Sequence, residues 1–276
     1  MLKSVFLLLS FVSVQADSSD TKFSNYPQIF TEYKQLLVDI RENRETPESG
    51  RKRFQDVIHA LRSVYPNYHY DSTNVNIVFP LRGFDYRAVG GRGSGYRPKG
   101  YDLFDNTKKG SHPAHDIFIK DKDQDDTDDR TLSYIDVLSV SDGVVLATET
   151  NWQKGSEYRG GNYVWVYDFN TSGLWYYAHQ RKVLVQPGQI VRAGQKLAEV
   201  GRTGFNAAMP RSDTHLHLTY LRLDEDGNPY PVNTYGWLQN AENFLDPRIA
   251  VDLDMIMPIR IIQFLKIRPF NLPKIR

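Results

Sequence analysis

The chain has 276 residues, a formal net charge of +1, 40% hydrophobic residues and no cysteine. So balanced a charge offers no field to gather nucleic acid, and a chain without cysteine has neither disulfides nor thiolate metal sites. Length and apolar content suit one main domain with its own buried core, plus an appendage.

The first sixteen residues, Met1 to Ala16, have the layout of a secretory signal. Lys3 opens it, an apolar run from Val5 to Val14 follows, and Val14-Gln15-Ala16 supplies a cleavage site. The run is shorter than the roughly 20 residues needed to span a bilayer. Cleavage is expected after Ala16, and with no cysteine beyond it a bacterial lipid anchor is not expected.

Asn25 to Tyr65 reads as two helices. Ile29, Phe30, Tyr33, Leu36, Leu37 and Ile40 recur at helical spacing, as do Phe54, Val57, Ile58, Leu61 and Val64. Thr46-Pro47-Glu48-Ser49-Gly50 breaks the two apart. The expectation is a hairpin over 17–75 that packs on the main domain, with a mobile cover as the bolder reading. Gly90 to Gly95 forms a glycine-rich loop without the spacing of a phosphate-binding loop; a flexible wall of a groove is expected there.

The main domain is expected over 76–245. His112-Pro113-Ala114-His115-Asp116 comes first. In extended chain, residues four apart share a face, so His112 and Asp116 can aim at one point while His115 turns away to a structural role. Pro113 and the run Ile117-Phe118-Ile119 favour strand over helix. Asp121 to Asp129 is the densest charge run. It lacks glycine at the sixth position and glutamate at the twelfth of a calcium loop, so a solvated surface loop is expected.

From Val137 to Gly201 the chain reads as short strands and turns. A turn at Asp142-Gly143 leads into an apolar strand; Tyr163 to Tyr167 and Leu174 to His179 are β-branched and aromatic; Pro187-Gly188 and Ala193-Gly194 mark two further turns. The expected fold is mainly β: an antiparallel sheet folded into an open barrel or sandwich, with the helical hairpin in front, α+β overall. His215-Leu216-His217 places two imidazoles on one strand face. Asp224 to Asn228 reads as a hairpin turn. The tail, 246–276, carries five basic residues and no acid from Pro258 onward, which suits contact with an anionic membrane or wall polymer and equally docking on the protein as an irregular edge.

Five of the seven histidines fall in three short pieces, with Tyr177-Ala178-His179 the third. Two imidazoles and a carboxylate form a usual ligand set for a catalytic zinc that keeps a position open for water. Spacing alone does not decide which histidine of the His215/His217 pair is the ligand, and His179 by itself reads as the cap of an aromatic strand.

The order of these pieces, with the turn motifs between them, resembles the lysostaphin-type zinc endopeptidases, which cleave peptides of bacterial peptidoglycan. The resemblance runs from about Phe79 to Tyr235. It implies that His112, Asp116 and His217 bind one zinc ion and that His179 and His215 are the catalytic histidines beside it. The chain departs from the family pattern at Ala114, where glycine is usual, in the longer stretch from Phe205 to Thr214, and in the acidic insertion between Asp116 and Val137. The implied activity is an exported peptidase acting in the periplasm or outside the cell, with peptidoglycan as its partner. A biotin- or lipoyl-type carrier would share the paired glycine turns, but no suitably flanked lysine is present. A catalytically inactive wall-binding or regulatory domain of the same fold is the alternative. Which histidine is the base, which peptide bond is cut and the oligomeric state are not legible at this stage.

Overall fold

The computed structural model describes residues 26–65 and 77–244. The expected secretory signal, the tail from 246 and the expected boundaries near residues 75 and 245 lie outside the described residues.

Two helices open the described chain, α1 (Tyr26–Arg41) and α2 (Pro47–Val64). The break between them is shorter than the sequence suggests. Thr46 caps α2 by accepting from the Ser49 amide, Pro47 occupies the first turn, and Gly50 already lies within the helix. A proline costs nothing there because its missing N–H would have had no partner.

Strands follow in chain order: β1 (His115–Phe118), β2 (Asp136–Leu138), β3 (Gly143–Glu149), β4 (Tyr163–Asp168), β5 (Leu174–Ala178), β6 (Gln180–Val183), β7 (Ile190–Val191), β8 (Lys196–Val200), β9 (His215–Leu223) and β10 (Pro229–Pro231), before a short α3 (Tyr235–Gln239). They make two antiparallel sheets. The larger runs β1-β9-β5-β4-β3-β7, with β10 added to β9; the smaller runs β2-β8-β6. The fold is therefore mainly β with a helical pair in front, α+β overall.

The period-2 alternation of the strands divides the core in two. Leu216, Leu218 and Tyr220 of β9, Trp175 and Tyr177 of β5, and Val164 and Val166 of β4 face inward to the small sheet and share its core with Val137, Leu197 and Val200. On the opposite face of the large sheet, Leu221, Leu223, Leu174, Tyr167 and Leu146 are buried under Tyr33, Leu36, Phe54, Ile58 and Leu61 of the helical pair. Fully burying each such side chain contributes about 1.5–3 kcal/mol. The helices thus cover one half of that face. The other half, carrying His215, His217 and Tyr176, lines a cavity, with Trp165 at its border under Tyr33 of α1. Among the described residues no helix is long and apolar enough to cross a membrane.

Candidate active site

Strand pairing brings the dispersed polar residues together. β1 and β9 are adjacent, and Asp116 stands directly opposite His217. On the other side of β9, Ala178 of β5 also pairs with His217, which puts His179 next to the same point. His112 sits just ahead of β1 rather than within it, held by a two-way backbone bridge with Arg97. Its approach to Asp116 depends on that bridge and not on strand alternation.

The result is a compact group. His112 Nε2 lies 3.2 Å from Asp116 Oδ2, and His217 Nδ1 lies 3.0 Å from Asp116 Oδ1. One ligand-capable atom from each of these three residues lies within 4.8 Å of the other two. With metal–ligand bonds of about 2.05 Å, a tetrahedral site has edges of about 3.3 Å, so the spacing fits one small cation. His215 Nε2 is 3.7 Å from Asp116 Oδ1. The His179 ring stands 4.9 Å from that of His215 and 5.5 Å from that of His217.

Backbone carbonyls orient three of these rings. His112 Nδ1 donates to Gly95 O at 3.0 Å, His179 Nδ1 to Thr203 O at 2.8 Å, and His215 Nδ1 to Asp213 O at 2.7 Å. A carbonyl oxygen can only accept, so each bond fixes a proton on Nδ1; in neutral His179 and His215 this leaves Nε2 as a bare lone pair. That is how protein ligands and bases are commonly held. Burial works against a charge on Asp116, yet hydrogen bonds from His112 and His217 outweigh it and hold its carboxyl far below the ordinary range. The Asp116 hydrogen bond in turn raises His112. Burial lowers His179, with repulsion from His215 adding to it, and burial lowers His215 as well. Both shifts favour the uncharged imidazole.

The group lies on the floor of a cavity of about 760 Å³. Its walls come from the end of α1, the segment around Tyr101 to Lys108, the loop following β3, and the stretch around Asn206 to Ser212. Residues 128–230 match the family model for peptidase family M23. The match includes His179, His215 and His217; His112 and Asp116 precede it. That segment is similar to peptidase family M23. Among solved structures, lysostaphin from Staphylococcus simulans is similar at 21% identity over 59% of this chain and 56% of its own, with a TM-score of 0.37. A zinc-containing peptidase from Vibrio cholerae matches at 20% identity over 61% of this chain and 38% of its own, TM-score 0.32. Csd3 from Helicobacter pylori matches at 19% identity over 72% and 46%, TM-score 0.37. The chain covers 56% or less of the length of these three proteins.

Other residues singled out by sequence settle differently around the site. His115 turns away from the group, as alternation predicts. It is buried between Tyr96 and Tyr235, with Nε2 on Asn233. The Gly90–Gly95 loop is not a groove wall: it is absent from the cavity lining. Positive φ at Gly91 and Arg92 kinks the short 3₁₀ segment into a tight bend, which delivers the Gly95 carbonyl to His112. The acidic run is less solvated than its composition suggests. Asp128 is fully buried, accepting from the Lys120 amide and from Arg130, and Asp121 is buried, accepting from two amides of its own loop and from Thr214 Oγ1 at 2.6 Å. Asp121, Asp123 and Asp129 cluster closely enough to hold a cation, but those local bonds already occupy both oxygens of Asp121.

Sequence reasoning missed Arg202. Its guanidinium donates to Ser212 O, Thr214 Oγ1, Gln124 Oε1 and Met209 O, bracing the long stretch ahead of His215 against the acidic loop. Arg202 lies two residues before Gly204 in an otherwise turn-like run, and nothing in that context marks it as a brace.

Proposed function

We propose that this protein is an exported zinc metalloendopeptidase that hydrolyses peptide bonds in bacterial peptidoglycan stems or cross-links. In this reading 1–16 is removed on export, 17–75 is the helical hairpin, 76–245 the peptidase domain and 246–276 a peripheral tail. The observation that carries the reading is the meeting of His112, Asp116 and His217 at one point, with His179 and His215 beside it in a groove of an M23 domain.

His112 through Nε2, His217 through Nδ1 and Asp116 through a carboxylate oxygen would hold the zinc. When bound, the ion would act as a Lewis acid and supply a nucleophile near neutral pH. The chain's own groups do the rest. His179 and His215 each present a bare Nε2, so either can take the proton of an attacking water. Their lowered basicity keeps them in the accepting form. Neither can donate to a developing oxyanion until it has taken that proton. One ring therefore serves first as acceptor and then as donor, to the oxyanion or to the departing amine. The closed backbone bonds from Nδ1 prevent the rings from flipping during this exchange.

The test is digestion of purified peptidoglycan by the zinc-loaded protein, with and without a chelator, and mass analysis of the fragments. New amine and carboxyl ends that vanish with chelator and return with zinc are expected. Binding to the polymer without any cleavage would instead identify an inactive wall-binding domain.

A further inference from the structure

We propose that the helical hairpin sets the length of peptide the groove accepts: α1 forms a fixed end wall, leaving space for about three extended residues between the metal-ligand cluster and that end. The inference rests on the peptidase reading above and adds a limit on its substrate.

The groove runs across strands, not along them. Its floor passes from His217 on β9 to Tyr176 on β5 and then to Trp165 and Tyr163 on β4, all on one sheet face. β9, β5 and β4 are consecutive neighbours. Strands lie about 4.8 Å apart, so these two steps cover about 10 Å; an extended peptide advances about 3.4 Å per residue. At β4 the floor meets α1, and Glu149 at the end of β3 is held by Lys34 of that helix. Tyr33 of α1 packs edge-on to Trp165 with ring centroids 6.2 Å apart, and Leu37, Ile40 and Arg41 of the same helix line the cavity.

The wall is pinned on three sides. Lys34 Nζ reaches Thr148 O at 2.7 Å, Glu149 Oε2 at 2.9 Å and Tyr163 Oη at 3.1 Å. The Arg41 guanidinium lies 3.7 Å from the Tyr158 ring centroid, and Tyr158 Oη donates to Glu42. Asn106 Nδ2 donates to Arg41 O at 2.9 Å, tying in the opposite wall. Because these anchors are spread over β3, β4 and two loops, α1 is part of the frame of the groove and not a cover hinged at one edge.

The experiment uses the zinc-loaded full chain. Peptidoglycan digestion first identifies the bond cut. Synthetic peptides spanning that bond then carry one to eight residues on either side. On one side, kcat/KM should fall at least tenfold once the extension passes about three residues, mainly through KM; on the other side it should not. Leu37→Trp, which adds bulk to the wall, should move the fall to a shorter peptide, and Leu37→Ala should move it outward. Cleavage by the unaltered protein that is independent of length on both sides overturns the end wall while leaving the peptidase reading intact. Absence of any product from peptidoglycan overturns the peptidase reading, and this inference with it.

Discussion

His179 occupies a position that its side chain alone would not choose. It follows the last residue of β5 with φ of +66°, a left-handed conformation uncommon outside glycine. Such strain costs on the order of 1–3 kcal/mol and persists only where neighbours over-determine it. Here its amide donates to Gly160 O and its ring to Thr203 O. Gly204 makes the geometry possible: a Cβ there would stand 2.2 Å from Arg159 O and 2.9 Å from His179 Nδ1, at a φ of +112°. Gly204→Ala should therefore push the Thr203 carbonyl and the His179 ring apart. We expect kcat to fall tenfold or more with zinc content unchanged, read by metal analysis alongside turnover. The ligand residues should behave in the opposite way. His217→Ala should lose metal and activity together, whereas His179→Ala should keep zinc and lose turnover; a metal-loaded His179→Ala protein that still cleaves would remove His179 from the mechanism.

At the scale of elements, the departures from the family pattern turn out to be joined. The acidic insertion and the long stretch ahead of β9 meet at Arg202, Gln124 and the Asp121–Thr214 hydrogen bond. Together they buttress the start of the strand that carries His215. This arrangement concentrates negative charge, and Asp126 is pushed up to about 6, first by burial and then by Asp121. Its folded-state value lies above the unfolded value of about 3.9. The folded protein therefore keeps the extra proton between those two values, and this group stabilises the fold progressively as pH drops from about 6 toward 4. Partial exposure screens the effect to about 1 kcal/mol. Asp126→Asn should melt higher than the unaltered protein at pH 7.5, with the margin reduced to a fraction by pH 4.5; the same margin, or none, at both values would show that Asp126 titrates normally. In the helical pair, Arg53 plays a similar joining role, reaching Glu32 and Glu45 at 2.8 and 2.5 Å and Asp39 at 2.9 Å.

For the whole molecule, the two cores on opposite faces of the large sheet decide where a groove can exist. One face is closed by the small sheet, and half of the other by the hairpin. The hairpin also reaches the segment that leads to His112. Phe104 packs on Phe54 with ring centroids 5.4 Å apart, under the Arg51 guanidinium, and lies against Gly50. Stability and activity should therefore be linked through it. Phe54→Ala should cost about 3–5 kcal/mol, as large core deletions do. It should also lower zinc affinity at temperatures where the protein remains folded, since the wall carrying His112 loses its support. Unfolding by circular dichroism and a zinc titration on the same samples check both; unchanged affinity in a destabilised variant would show the hairpin to be energetically separate from the site.

By itself, the sequence determined much of this protein. Alternation along β9 put His215 and His217 on one side and Leu216, Leu218 and Tyr220 on the other, and helical spacing located both N-terminal helices, because these patterns are local consequences of side-chain direction. The same rule turned His115 away from Asp116. Only the tertiary structure decided the rest. Asp116 faces His217 because β1 and β9 pair in one register, and His112 joins them through a bridge to Arg97 that lies 15 residues upstream. The glycine-rich loop serves His112 through a backbone carbonyl, and backbone acceptors leave no mark in side-chain chemistry. Whether the hairpin would merely cover the sheet or also end the groove depended on how far α1 reaches across β4. Periodicity fixes which face of a helix is apolar, but only packing fixes where along a sheet that face comes to rest.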